Sequence, residues 1–135
     1  IVRLADLYLM YAEALNEAEG PTAEVYNAVN KIRRRAQLLD LPANLTKDEM
    51  RNKIRQERRV ELAFENHRFW DVRRWKIAEI VDNKKVHKIT VNADGTYSYP
   101  VFQNRVFDKA KHYLFPIPQS EIDKNRNLVQ NPGWN

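Results

Sequence analysis

Cysteine is missing from all 135 residues of this chain. That excludes a disulfide framework, a thiolate zinc site and a cysteine nucleophile, though it leaves the compartment open. Glycine is scarce, with three residues, which argues against a β-rich or low-complexity fold. No apolar run approaches the roughly 20 residues that a bilayer-spanning helix requires. A Gly-rich phosphate loop, a nucleophile motif and a His-rich ligand cluster are equally missing. The chain opens on Ile1-Val2-Arg3-Leu4 with a helical pattern already running. We therefore read it as a stretch from the middle of something longer, with any targeting segment lying upstream.

What is present is an ordinary globular composition, 43% hydrophobic and 30% charged, in a length that suits one domain over residues 1–135. The net charge of +5 raises the question of nucleic acid. A nucleic-acid module gathers Lys and Arg on one face with few intervening acids. Here Glu57, Glu61, Glu65 and Asp71 alternate with the arginines of the central helices and would neutralise such a face. No nucleic-acid partner is expected.

The periodicity predicts a first helix from about Arg3 to Glu19, stopped by Gly20-Pro21. Its apolar residues cover most of the circumference, so it is expected to be packed on most sides. A narrow polar stripe of Arg3, Asp6, Glu13 and Glu17 is placed to meet arginines of the third helix. Thr22 is read as the N-cap of a second helix to about Gln37, with Val25, Ala28, Val29, Ile32 and Ala36 on one face. The two make a helical hairpin about the size of a tetratricopeptide unit. Thr46-Lys47-Asp48-Glu49 is a capping box opening a third helix to about Glu65. Asn66-His67 breaks it, and a fourth helix is predicted from Arg68 to about Val81, with Trp70, Arg74, Ile77 and Val81 on one face.

Beyond Asp82 the pattern changes. His87 to Tyr99 reads as an exposed β-hairpin turning at Asp94-Gly95. Tyr113 to Pro118 is an extended apolar segment, because Pro116 and Pro118 forbid a helix. Gln119 to Asp123 has the pattern of a helical turn. Asn131-Pro132-Gly133-Trp134-Asn135 closes the chain in turns, with Trp134 docking back. The fold class is thus mainly α: tetratricopeptide-like helical hairpins, two central helices, one β-hairpin excursion and an extended tail.

The centre of the chain, Glu57 to Trp75, carries the most information. Met50, Ile54, Glu57, Glu61 and Phe64 fall on one helical stripe, where a plain surface helix would place Leu or Ile at the third and fourth positions. Burying a carboxylate costs several kcal/mol unless it is paired, and arginine is the natural partner. The expectation is a structural ion network of Glu57, Arg58, Glu61, Arg68 and Arg73, with arginines supplied by the same helix and the next. If it is buried, Glu61→Ala strands a guanidinium at a cost of about 3–5 kcal/mol.

Four blocks of the chain, in order, resemble the C-terminal part of the SusD/RagB family of outer-membrane nutrient-binding lipoproteins. They are Arg3 to Asn16, Glu57-Arg58-Arg59-Val60-Glu61-Leu62-Ala63-Phe64-Glu65 with Arg68 to Trp75, Tyr113 to Ile122, and Asn131-Pro132-Gly133-Trp134. The resemblance covers essentially the whole chain apart from Lys84 to Lys111. It implies a helical fold with tetratricopeptide-like pairs and a lipid anchor, outside this chain, at the outer leaflet of a Bacteroidetes-type outer membrane. It also implies a SusC-like TonB-dependent transporter as partner, with the protein as a lid presenting oligosaccharide or peptide. Members bind rather than catalyse, and need no cofactor. The rival reading is a helical interaction module without a ligand site of its own.

Other site readings are weaker. Glu57 and Glu61 could form a glycosidase pair, but arginines crowding their face hold both as carboxylates and leave no proton donor. A metal site from Glu61, Glu65 and His67 lacks a second histidine at ligand spacing. Trp70 and Trp75 read as framework, since large aromatics at helical spacing usually pack inward. Tyr97, Tyr99 and Phe102 are better placed for exposure, although hairpin tyrosines are commonly cross-strand pairs. The sequence assigns no catalytic, metal-binding or ligand-contacting residue.

Overall fold

The computed structural model describes residues 3–134. Ile1 and Val2, the start of the opening pattern, and Asn135 in the last turn lie outside the described residues. The fold is mainly helical, and the chain divides into two compact units, one running to Phe69 and the other from Trp70.

In the first unit, α1 (Leu4–Glu19), α2 (Ala23–Arg35) and α3 (Lys47–Glu61) pack together, with α1 touching both of the others. Gly20 ends α1 at φ +86°, its N–H donating to the carbonyl of Asn16 at 3.0 Å. Only glycine takes that conformation without a steric cost. Thr46 opens α3 with the complete capping box: its hydroxyl accepts from the Glu49 N–H, and the Glu49 side chain accepts from the Thr46 N–H. The core is Ala12, Val25, Ala28, Val29, Leu41, Met50 and Ile54, closed by the partly buried Tyr8, Leu15, Tyr26 and Leu45. Buried polar groups bind the α2–α3 connection to this core. Asn30 Oδ1 accepts from the Leu41 N–H at 3.0 Å, and Tyr26 Oη accepts from the Leu45 N–H at 2.9 Å. Asn16 Nδ2 donates to the Lys47 carbonyl at 3.1 Å.

The boundary between the units falls within α4 (His67–Arg74). The second unit continues with α5 (Ala78–Val81), β1 (Lys85–His87), β2 (Thr90–Val91), β3 (Tyr97–Ser98), β4 (Val101–Asn104) and α6 (Gln119–Lys124). Its apolar centre is Val72, Ala78 and Phe107, with Ile77, Val81 and Tyr113 against it. Tyr113 Oη accepts from the Ala78 N–H at 3.1 Å and donates to Glu79. Trp134 docks as expected: its indole N–H lies 3.1 Å from the Leu114 carbonyl and 3.2 Å from that of Lys111, whose ammonium stands 4.1 Å from the indole centre.

Five expectations need correction. The third helix stops at Glu61, not Glu65, because Phe64 and Asn66 adopt φ +64° and +63°. Phe64 therefore leaves the inward stripe and is fully exposed. The fourth helix is two, parted at Lys76. The Lys76 N–H donates to the Arg73 carbonyl and the Ile77 N–H to that of Val72, a Schellman closure with Lys76 at φ +53°. Trp70 and Ile77 thus do not share one helix face, and Trp70 is exposed. Finally, α1 is not packed on most sides: Leu4, Leu7, Met10 and Tyr11 are exposed.

Candidate functional site

Three features of the described residues have chemistry to offer: the charged cluster on α3, a groove beside α1, and the outer face of the hairpin.

The cluster begins with Arg58, which donates through Nη1 to Asp6 Oδ1 at 2.9 Å, the two side chains being 3% and 7% exposed. This pair is buried, and it ties the first turns of α1 to the last turns of α3. Glu57 accepts from Arg33 of α2. Glu61, 10% exposed at its side chain, accepts from Arg3 at 2.9 Å and, through both oxygens, from Arg35 at 2.7 Å. Arg3 also holds both oxygens of Glu65, at 2.6 and 3.0 Å, and the Glu61 carbonyl at 2.7 Å. These bonds hold the Glu65 carboxyl below its ordinary range and raise the Arg3 guanidinium above its own. At the other end of α3, Arg51 bridges Glu17 and Asp48, and its hydrogen bonds depress Glu17.

The partners of Glu57 and Glu61 described here thus come from the start of α1 and from α2. The sequence reading sought them on the same helix and the next. The polar stripe of α1 does meet arginines of α3, through Asp6–Arg58 and Glu17–Arg51. Arg68 lies half-buried on α4, and Arg73 places its guanidinium 5.4 Å from the centre of the Phe107 ring in the second unit. Glu61 accepts three hydrogen bonds from two guanidinium groups, which ties both of its oxygens into framework contacts. Among the described residues, no group of three or more His, Asp or Glu side chains is placed to hold a metal ion.

Between α1 and α2 lies an open groove of about 300 Å³ lined by Leu4, Tyr8, Lys31, Ile32 and Arg35. It shares Tyr8 and Lys31 with a second hollow of about 300 Å³ bordered by Tyr11, Glu24 and Asn27. The Lys31 ammonium stands 4.8 Å from the centre of the Tyr8 ring, and Tyr11 Oη donates to Glu24 at 2.6 Å. The sequence reading missed this groove. The available signal was two tyrosines one turn apart facing a helix with the polar residues Glu24, Asn27 and Lys31 at similar spacing.

The hairpin spans Lys85 to Asn104, longer than its sequence suggests. It carries two separate two-stranded antiparallel sheets: β1 with β4, where Lys85 pairs with Asn104, Val86 with Gln103 and His87 with Val101, and β2 with β3, where Thr90 pairs with Ser98 and Val91 with Tyr97. Between the two sheets, the Lys88 N–H donates to the Pro100 carbonyl at 3.1 Å. A bulge at Phe102 precedes the last two pairs. At the tip, the Gly95 N–H donates to the Asn92 carbonyl and Gly95 sits at φ +80°, the glycine that a three-residue turn of this kind requires.

Comparison with known proteins identifies the architecture. The model of the SusD family matches residues 1–134. A SusD-like protein of Formosa agariphila is 36% identical over 98% of this chain and 25% of its own length. A solved SusD-like structure from Bacteroides fragilis is 36% identical, with a TM-score of 0.89, over 98% of this chain and 25% of that one. A SusD-like carbohydrate binding protein from Bacteroides vulgatus shares the fold at 24% identity, with a TM-score of 0.65, over 95% of this chain and 29% of its own. The chain spans about a quarter of the length of the curated relatives it matches.

Proposed function

Since this chain belongs to the SusD family, we propose that it is part of a non-catalytic glycan-binding protein anchored at the outer membrane. In that role it presents oligosaccharide to a SusC-like TonB-dependent transporter as the lid of the barrel. The match of the family model across residues 1–134 is the observation that carries this reading. The ligand class is supported by the Bacteroides vulgatus relative, which is described as carbohydrate binding. The absence of catalysis is supported by the state of the central carboxylates, all of which are bound to arginine. We assign Glu57, Arg58 and Glu61 a framework role from these pairs and from that of Arg58 with Asp6, and extend it to Arg68 and Arg73. The membrane attachment is assigned to a lipid anchor outside this chain; no helix among the described residues is long and apolar enough to cross a membrane.

The test is titration calorimetry of the full-length protein against a panel of oligosaccharides, with the panel re-examined for cleavage products. Heat without cleavage supports the proposal. Cleavage refutes its non-catalytic part. Tight co-purification with a barrel partner, but no heat from any glycan or peptide, favours the interaction-module alternative.

A further inference from the structure

Positive charge is balanced unevenly along this chain. In the first unit, Arg3, Arg33, Arg34, Arg35, Arg51 and Arg58 are each paired with a carboxylate. The ribbon of β1 and β4 differs. Residues 84–88 and 101–106 include Lys84, Lys85, Lys88 and Arg105 but no Asp or Glu. All four cations are exposed, and none has an ion-pair partner among the described residues. Asp82 and Asp108 flank the ribbon in sequence, and Asp108 Oδ1 already accepts from the Ala110 N–H at 2.9 Å. The Arg105 N–H donates to the Lys84 carbonyl at 3.0 Å, one step beyond the Lys85–Asn104 pair, so two cationic residues meet at the open end of the ribbon. Like charges facing each other across a ladder cost stability, and a local conflict of that kind points to a functional demand on the residues.

We infer that this ribbon recognises an anionic glycan, one carrying uronate carboxylates or sulfate esters, a reading that rests on the glycan-binding role proposed above. Ammonium and guanidinium groups give charge-assisted hydrogen bonds to carboxylate and sulfate oxygens. Lys85 pairs with Asn104 and Val86 with Gln103, so two exposed side-chain amides stand among the cations. Each amide offers both a donor and an acceptor to sugar hydroxyls. Cations at several separate positions suit a polymer with repeated acids rather than one isolated acid group. A neutral glycan would leave all four unanswered, and a basic peptide would be repelled. Unpaired charge of one sign also draws a polyanion in from solution, an attraction that salt weakens.

Titration calorimetry of the full-length protein at low ionic strength tests the inference. The ligands are polygalacturonate, a sulfated galactan, a neutral linear glucan and, as an unrelated polyanion, duplex DNA; co-purification of the barrel partner is followed in parallel. The variants are the pair Lys84→Gln/Arg105→Gln, the charge-keeping pair Lys84→Arg/Arg105→Lys, and Lys53→Gln, an exposed control on α3. The parent should bind one or both acid polymers in preference to the glucan, and the preferred one tells carboxylate from sulfate. The glutamine pair should weaken that binding about tenfold, while the charge-keeping pair and the control stay within about threefold of the parent. The glutamine pair should melt no lower than the parent, because it relieves a like-charge contact. If the glucan binds as tightly as the acid polymers, or the glutamine pair binds them as the parent does, the inference is refuted while the glycan-binding role stands. If no glycan gives heat, both fail. Equal affinity for duplex DNA removes the sugar assignment. Unchanged binding of the acid polymers by the glutamine pair with lost co-purification makes the ribbon a protein interface instead.

Discussion

The Asp6–Arg58 pair offers the sharpest test of the physical reading, because its two side chains are the most deeply buried ions of the first unit. Replacing Asp6 by Ala removes the carboxylate to which Arg58, 3% exposed at its side chain, donates at 2.9 Å. Breaking a buried pair from one side costs about 3–5 kcal/mol, since the remaining charge recovers no water. With a urea slope of about 1.5 kcal/mol per molar for a chain of this size, the midpoint should fall by about 2–3 M. Asp6→Asn keeps an acceptor within reach of Arg58 and should fall between the parent and Ala. The double replacement Asp6→Leu/Arg58→Met removes both charges and should recover much of the loss, because desolvation is then no longer owed by either partner. Urea unfolding followed by circular dichroism reads all four proteins. A midpoint for Asp6→Ala indistinguishable from that of the parent would refute the claim that this pair is a buried constraint.

The same calculation shows where the sequence was legible and where it was not. Thr46-Lys47-Asp48-Glu49 announced its capping box, and Gly20-Pro21 its helix stop, because both signals are local and chemically specific. The stop that was missed at Lys76 uses a Schellman closure with a non-glycine residue at φ +53°, as does the stop read near Gln37, at φ +57°. Without glycine, nothing in the sequence marks the left-handed residue. The central motif was recognised as ionic, yet the buried pair was placed at Glu61 when it lies at Asp6–Arg58. Helical periodicity fixes which residues share a face; it does not say how deep each lies under the neighbouring helix. Glu61 is well covered, but its partners Arg3 and Arg35 are 37% and 62% exposed, so removing it strands no buried cation in this unit. The hairpin was legible from Asp94-Gly95, and so was the exposure of Tyr97, Tyr99 and Phe102, which its polar setting predicts.

Other consequences follow from the same geometry. Thr46→Ala removes the N-cap of α3 and should cost about 1 kcal/mol, read as a lowered urea midpoint; an unchanged midpoint would make the cap ornamental. Glu61→Ala should lower the midpoint far less than Asp6→Ala, because water can take up the guanidinium groups it releases; an equal loss would show that the Glu61 cluster is more enclosed than its exposures indicate. Trp134→Ala should raise amide exchange around Lys111 to Leu114, whose carbonyls it caps, and leave the protection of α1 to α3 unchanged. The last consequence concerns acid. Arg51 holds Glu17 below the ordinary carboxylate range, Arg34 does so for Asp40, the Thr46 N–H and hydroxyl for Glu49, Arg3 for Glu65, and the Tyr113 hydroxyl for Glu79. A depressed folded-state pKa means that the unfolded chain takes up protons first. The stabilisation is therefore complete above the ordinary carboxylate range and is lost as pH falls through that range to the depressed values. These groups are exposed and screened, so each contributes little, but all five act in the same direction. Melting temperature should be flat from neutral pH to the top of the carboxylate range and then fall, and added salt should reduce the neutral-pH advantage. A melting temperature that rises on acidification would mean that repulsion within the net positive chain does not grow as these carboxylates are neutralised, and that their hydrogen bonds do not favour the folded state.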